Sequence, residues 1–503
     1  MQRRMERSEP AREDLVSEIR PVIVESRRAV RGLELTMAQL GVSDLIVGKV
    51  RGDLPITVLH RAAFRMQRRH PGLRARMVRP KGAGSRPVFE FCEPNVRRVV
   101  IEEVRSGEDL APDGAPLWQR VVEREANRKF DIARGYMFRV VWVPNEDDGG
   151  HVIVVAHHAL VDGLSLMRLL NDLLREAQKL IADPSQHWHD SSVLDPLPHT
   201  PAVLTELPAR LHEQILTSLV RRSLIRSQRL YATYSPFPIE GALPPGQSIR
   251  THCHFHTGRG EAFRKVREAC KRNGVTVGGA FAAATQFASL RLIHARTGAL
   301  PSSGGSLKFP MTMDFSLRGQ LEDFARTAPQ MGLLIGASDI GVRVRDDITF
   351  WELARSLKRR AVQQSHRRSP LLFHQVLDGL SDLEAALAKE GVDYVASGGI
   401  AESVNVSSVG EYPYPERLGS LVLEEVFGLN TAMKGGPMFI VWLRSIGGRF
   451  CYNATSAHPA ARRTTGDALF ASLVELMETC HQPAVERLRL RDYASAQSDL
   501  SGS

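Results

Sequence analysis

Residues His157-His158-Ala159-Leu160-Val161-Asp162-Gly163 bring together the side chains best suited to chemistry in this chain. A histidine titrates near neutrality, so it can take a proton from a hydroxyl or amine and later return it. Asp162 stands where a helix N-cap belongs, accepting hydrogen bonds from first-turn amides. Gly163 lets the backbone approach a substrate closely, or take a turn closed to other residues. Taken singly, each has an ordinary structural explanation: a cap, a turn residue, and histidines on a surface or in a core. Metal binding is weakly supported, because His158 and Asp162 share helical spacing while His158 precedes the helix. Ser165 reads as a first-turn helix residue, not a triad nucleophile. The joint pattern points to acid–base chemistry by a histidine of this pair.

The flanking residues say how these groups are held. Val152, Ile153, Val154 and Val155 form a β-branched run suited to one buried strand. Leu166, Leu169, Leu170, Leu173 and Leu174 then recur at helical spacing. The segment is therefore a strand–helix turn, where side chains and free helix N–H groups converge on a cleft. Periodicity predicts helices over 56–70 (ended by Pro71), 118–127, 164–181, 260–273, 277–292, 349–365 and 466–480. Strands are predicted over 74–78, 87–92, 138–143, 151–156, 251–256 and 307–313, with more strands up to Tyr452. Such alternation in both halves makes the class α/β. Residues 1–30 read as a charged lead-in, 31–235 as a first subdomain, 245–490 as a second and 491–503 as a tail. Residues 182–206 read as a linker and 209–231 as a basic amphipathic helix.

The chain of 503 residues is 43% apolar and 24% charged, which excludes global disorder. No apolar run approaches the roughly 20 residues that span a bilayer, and the charged N-terminus does not resemble a signal peptide. A cytoplasmic location is expected. Five scattered cysteines without a CxxC pair read as reduced packing residues, not as disulfides or a zinc site. The net charge of +10 suits an anionic partner or an Arg-rich background. Dispersed basic residues and the lack of a known motif disfavour nucleic acid. His252, His254 and His256 alternate on one strand face, where partly solvated histidines are commoner than metal ligands. Arg221, Arg222, Arg226 and Arg229 could touch a membrane, but a solvated helix face is favoured.

The segment His157–Gly163 resembles the HHxxxDG signature of a superfamily of acyltransferases. That superfamily includes nonribosomal peptide condensation domains, polyketide-associated acyltransferases, alcohol acyltransferases and wax ester synthases. Arg69-His70-Pro71-Gly72-Leu73-Arg74 is similar to its RHPxLR stretch, and residues 130–140 to its "FDL…G.plfR" segment. Gly274-Val275-Thr276-Val277 before an Ala-rich helix looks like "GvTvn…lAA", and residues 309–318 like the "vpvd.R" strand. The DFGWG motif of the plant branch is not seen.

The resemblance, covering roughly residues 30–485, implies two chloramphenicol-acetyltransferase-like subdomains in a V with a central tunnel. It makes 251–256 a crossover strand. It implies His158 as general base, His157 as a supporting residue, and Asp162 as an ion-pair partner of Arg318. Gly163 would keep the tunnel open and its amide could hold an oxyanion. Asn405, Ser407 and Gly410 would line the tunnel. The activity implied is transfer of an acyl group from acyl-CoA or a carrier's phosphopantetheine thioester to an alcohol or amine, without a covalent acyl-enzyme or tightly bound cofactor. No carrier or adenylation module is recognisable, so a free-standing enzyme of natural-product or lipid biosynthesis is expected, with any carrier protein docking as a partner. The alternative is a condensation-like docking module without activity.

Overall fold

In the computed structural model the described residues are 23–82, 86–95, 100–105, 114–146, 148–186, 194, 237–298, 300, 306–320, 330–367, 369–371, 374 and 400–495. The apolar run before the histidine pair has no polar face and becomes β7 (Gly150–His157), buried along its whole length. It lies in a six-stranded sheet ordered β14 (Arg417–Leu418), β15 (Leu421–Asn430), β2 (Ser43–Arg51), β7, β6 (Phe138–Pro144), β5 (Val100–Glu103). β2 runs antiparallel to β7, with Ser43 opposite His157 and Asp44 opposite Ala156. That register brings an acidic side chain to the end of β7 where the turn begins. At the other end, Asn145 N–H donates to the Gly149 carbonyl at 2.9 Å. Gly149 has φ +66°, and a Cβ there would lie 2.0 Å from the Val50 carbonyl oxygen, so only glycine fits this corner.

α1 (Gly32–Leu40) precedes β2, and α2 (Ile56–Arg69) follows it. α3 (Leu117–Asn127) precedes β6, and α4 (Gly163–Ala182) follows the histidine turn. α4 buries Leu166, Leu169, Leu170, Leu173 and Leu174 against β2, β15 and α2. Those expected helices and strands of the first half that fall among the described residues are present within a residue or two of their predicted ends.

The second half forms another six-stranded sheet. Its order is β11 (Ile335–Asp339), β10 (Met311–Ser316), β13 (Ile400–Glu411), β16 (Gly436–Ile446), β17 (Arg449–His458), β8 (Arg250–Thr257). β13 is parallel to β10 and β16, while the other pairs are antiparallel. α5 (Gly260–Arg272), α6 (Val277–Thr297) and α8 (Arg463–Thr479) pack on this sheet, and α7 (Phe350–His366) packs on α6. The short α9 (Pro483–Glu486) meets α7, and α10 (Leu490–Ser495) closes on α6.

Several expectations change. β15 belongs by sequence to the second half but pairs with β2, with Asn430 opposite Asp44. It is the crossing strand; β8 instead occupies the edge of the second sheet, paired with β17. The stretch 245–490 therefore contributes two strands to the first sheet. Residues 24–29, read as part of a lead-in, are the strand β1 (Val24–Ala29), joined to β4 (Val88–Cys92) and β3 (Ala75–Val78). Arg27 and Arg76 bind Glu90 of β4 at 2.9 and 2.8 Å, which explains the charged composition of this small sheet. The strand expected over 307–313 is split at Pro310, which has no N–H for a ladder. The first piece, β9 (Leu307–Lys308), pairs with β12 (Arg343–Val344), and the second is β10.

The linker read over 182–206 is described only to Gln186 and at Leu194. The basic helix over 209–231, with Arg221, Arg222, Arg226 and Arg229, lies outside the described residues, as does the tail beyond Ser495. All five cysteines are buried thiols. Among the described residues, no helix is long and apolar enough to cross a membrane.

Candidate active site

His158 is the first residue after β7, and its amide donates to the Val42 carbonyl at 2.9 Å. Its Nδ1 lies 2.8 Å from the Val161 carbonyl oxygen and 3.0 Å from Asp44 Oδ2. A backbone carbonyl can only accept, so Nδ1 carries the hydrogen and the neutral ring keeps its lone pair on Nε2. His158 lines a cavity of about 210 Å³ together with Asp44, Gly163, Asp314, Ser407 and Arg444. The imidazole is thus oriented by an acid that the sequence reading did not single out.

Burial by itself pushes the His158 imidazolium down. The charge and hydrogen bond of Asp44, helped by Val161 and Asp162, outweigh burial and hold it up at about 9. Burial also raises the Asp44 carboxyl, against the opposing pull of His158. Both shifts describe a buried pair that holds one proton between two basic sites at neutral pH. Because the folded His158 value exceeds the unfolded one, its contribution to stability is complete below about 6.5 and fades as pH rises through 9.

A rate that needs neutral His158 should therefore climb through the alkaline range, with its inflection near pH 9. Asp44→Asn removes the charge that holds the proton. Its profile of kcat/KM against pH is expected to break at lower pH and to plateau below wild type, because the ring loses its orienting acceptor. Superimposable profiles would exclude Asp44 as a positioning residue.

His157 has a separate environment. Its Nδ1 accepts from the Ala159 amide at 3.2 Å, and burial, with His158 and Lys129 adding, lowers it to about 3. It is neutral across the working range and serves the geometry of the turn.

Asp162 is 0% exposed and caps α4. Its Oδ1 accepts from the Ser165 amide at 2.8 Å, and its Oδ2 from the Leu334 amide at 2.9 Å. Arg318 closes the set bidentately, with Nη1–Oδ2 at 2.6 Å and Nη2–Oδ1 at 2.9 Å. Burial opposes ionisation, but Arg318 and the two amides overcome it and hold the carboxyl below its ordinary value. Ser165 joins the same clasp: its Oγ accepts from Arg318 at 2.8 Å and donates to the Gly332 carbonyl at 3.0 Å. The start of α4 is thereby tied to β10's end and to residues 332–334. A Cβ at Gly163 would lie 3.2 Å from Arg444 Nη2, so the glycine leaves room for that guanidinium.

Of the residues expected to line a tunnel, Ser407 borders the His158 cavity. Asn405 stands behind it, donating to Thr312 and Asp314, each at 3.1 Å. Burial raises Asp314 to about 6, against the Asn405 hydrogen bond. Gly410 borders a second cavity of about 490 Å³, which shares Ser408, Val409 and Arg444 with the first. The histidines of β8 are engaged separately: His252 with Glu123 at 3.2 Å, His254 with Asp467 at 2.8 Å and Ser456 at 3.1 Å, and His256 with Glu478 at 3.6 Å. They fasten β8 to α3 and α8. Among the described residues no cluster of histidine, cysteine and acidic side chains is arranged to hold a metal. Asp44, Asp314 and Arg444 escaped the sequence reading. The signal for Asp44 and Arg444 is a charge embedded in an apolar strand, as in Ser43-Asp44-Leu45-Ile46-Val47 and Val441-Trp442-Leu443-Arg444.

Residues 43–184, spanning β2 through α4, match the family model of the condensation domain. Over 264 residues, 52% of this chain, the sequence is 26% identical to chondramide synthase cmdD of Chondromyces crocatus, of which it spans 6% of the length. In fold the chain is similar to TRI3 trichothecene 15-O-acetyltransferase of Fusarium sporotrichioides, with a TM-score of 0.67 and 13% identity over 90% of this chain and 94% of that one. It is also similar to the first condensation domain of the CDA synthetase, with a TM-score of 0.60 and 15% identity over 93% and 99% of the two chains. Residues 43–184 thus match the condensation-domain family, and the chain as a whole shares the α/β fold of these acetyltransferase and condensation-domain structures.

Proposed function

We propose that the chain is an acyltransferase that moves an acyl group from a thioester to an alcohol or amine, with His158 as general base. The observation that carries this reading is the His158 ring, oriented through Nδ1 by Asp44 and Val161 and bordering a cavity. Nε2 takes the acceptor's proton as its oxygen or nitrogen attacks the thioester carbonyl. The C–S bond then breaks, and the thiolate recovers that proton from the imidazolium and leaves as a thiol. Every atom and charge is balanced without a protein nucleophile. The Gly163 amide, at the first turn of α4, is our candidate for holding the oxyanion. The condensation-domain match supports a donor on a carrier's phosphopantetheine arm, with acyl-CoA as the other option.

A panel of acyl-CoA and acyl-carrier donors with alcohols and amines tests this by mass spectrometry of products and by thiol release. Stoichiometric thiol and ester or amide product are expected. Transacylation through a covalent acyl-enzyme would overturn direct transfer with His158 as general base, and no product from any pair would instead favour a docking module.

A further inference from the structure

Arg444 is a charged residue in β16, a strand buried along its whole length. Its side chain is buried, the residue being 3% exposed, and its Nε and Nη1 have no hydrogen-bond partner among the described residues. Asp44, the carboxylate whose charge acts most on it, is hydrogen-bonded to His158. An unpaired buried cation is heavily disfavoured, and an apolar side chain of similar volume would ordinarily be more stable there.

The surroundings are cleared for the guanidinium. A Cβ at Gly428 would lie 2.5 Å from Nη2, and one at Gly163 would lie 3.2 Å away. Arg444 borders both the cavity of about 210 Å³ with His158 and the neighbouring one of about 490 Å³. Planar, bidentate donors fit a carboxylate, and the pairing strengthens away from water. The phosphates of coenzyme A or of a pantetheine arm lie a full arm's length from the thioester sulfur. The anion that meets Arg444 must sit close to the reacting atoms.

We propose that Arg444 is a specificity-determining residue that receives a carboxylate of the substrate at the junction of the two cavities. The word substrate rests on the acyl-transfer reading; the anion site does not. The carboxylate belongs either to the acceptor, as in an amino or hydroxy acid, or to a dicarboxylic acyl group. Asp44 and Asp314 face the same space. Asp44 shares a proton with His158, and Asp314 is held by Asn405.

Thermal unfolding of the full chain with sodium propionate, with propionamide and with chloride at matched ionic strength tests the site without turnover. A saturable rise of the midpoint with propionate alone is expected, lost in Arg444→Met and weakened in Arg444→Lys. Without probe, Arg444→Met is expected to unfold at or above the wild-type midpoint, as an unpaired cation in an apolar strand should. Equal response of wild type and Arg444→Met, equal response to propionate and propionamide, or a large fall in the Arg444→Met midpoint would each overturn the proposal. Transfer assays then separate the sources, comparing L-leucine with L-leucinamide as acceptors and succinyl-CoA with butyryl-CoA as donors. Wild type is expected to favour the carboxylate partner of one pair by about 10- to 100-fold, a preference that collapses in Arg444→Met. Turnover with a preference unchanged in Arg444→Met also overturns it. No turnover with any pair, alongside an Arg444-dependent propionate response, rejects the acyl-transfer reading and leaves the anion site standing.

Discussion

His158→Ala is expected to lower kcat for acyl transfer by about 10²- to 10⁴-fold, the share a positioned general base supplies. Truncation also leaves the Asp44 carboxyl buried beside an empty space. Burial already raises that carboxyl, so in the variant it is expected to take up a proton instead of remaining a bare charge. The variant's stability deficit should therefore grow as pH rises above the unfolded carboxyl's value of about 3.9, where keeping Asp44 protonated becomes costly. The double variant His158→Ala/Asp44→Asn separates the two effects: stability should return while the rate does not. Single-turnover measurements on a thioester and acceptor that wild type uses would check this. A His158→Ala rate equal to wild type would eliminate the general-base assignment.

Arg318→Ala is expected to destabilise the fold by about 3–5 kcal/mol, because it strands a fully buried carboxylate. Asp162 would keep the Ser165 and Leu334 amides but lose both guanidinium contacts, and Ser165 Oγ would lose a third. The pH dependence should change with it. A depressed folded value means that Asp162 contributes stability above its unfolded value of about 3.9, lost as pH falls through the folded one. Without Arg318 burial prevails, and acid unfolding should begin at higher pH. Arg318→Lys should recover only part, because an ammonium cannot bind both oxygens in a fork. Urea unfolding at neutral and acid pH gives the numbers. A loss within about 0.5 kcal/mol, as for an ordinary surface change, would mean that the clasp contributes nothing.

The turn carrying His158 was readable because its flanks follow clean rules: a β-branched run long enough for one buried strand, then leucines at helical spacing. Asp162 at an N-cap position follows from the same local logic, and the structure places it there. The strand β2 was not recognised, although Leu45, Ile46 and Val47 mark it, and with it Asp44 was missed. β15 was read only as one of several later strands, because strand pairing across hundreds of residues leaves no local trace.

By itself the sequence determined the α/β class, the position of the histidine turn between a strand and a helix, and the helix cap at Asp162. Those depend on side-chain periodicity and backbone capping within a few neighbouring residues. Only the tertiary structure decided that Asp44 orients His158, that β15 rather than β8 crosses between sheets, and that Arg444 lies between two cavities with its Nε and Nη1 unpartnered among the described residues. Each depends on sheet register and on which charges meet after burial, and burial turns a distant Asp or Arg from an ordinary charge into one that needs a partner.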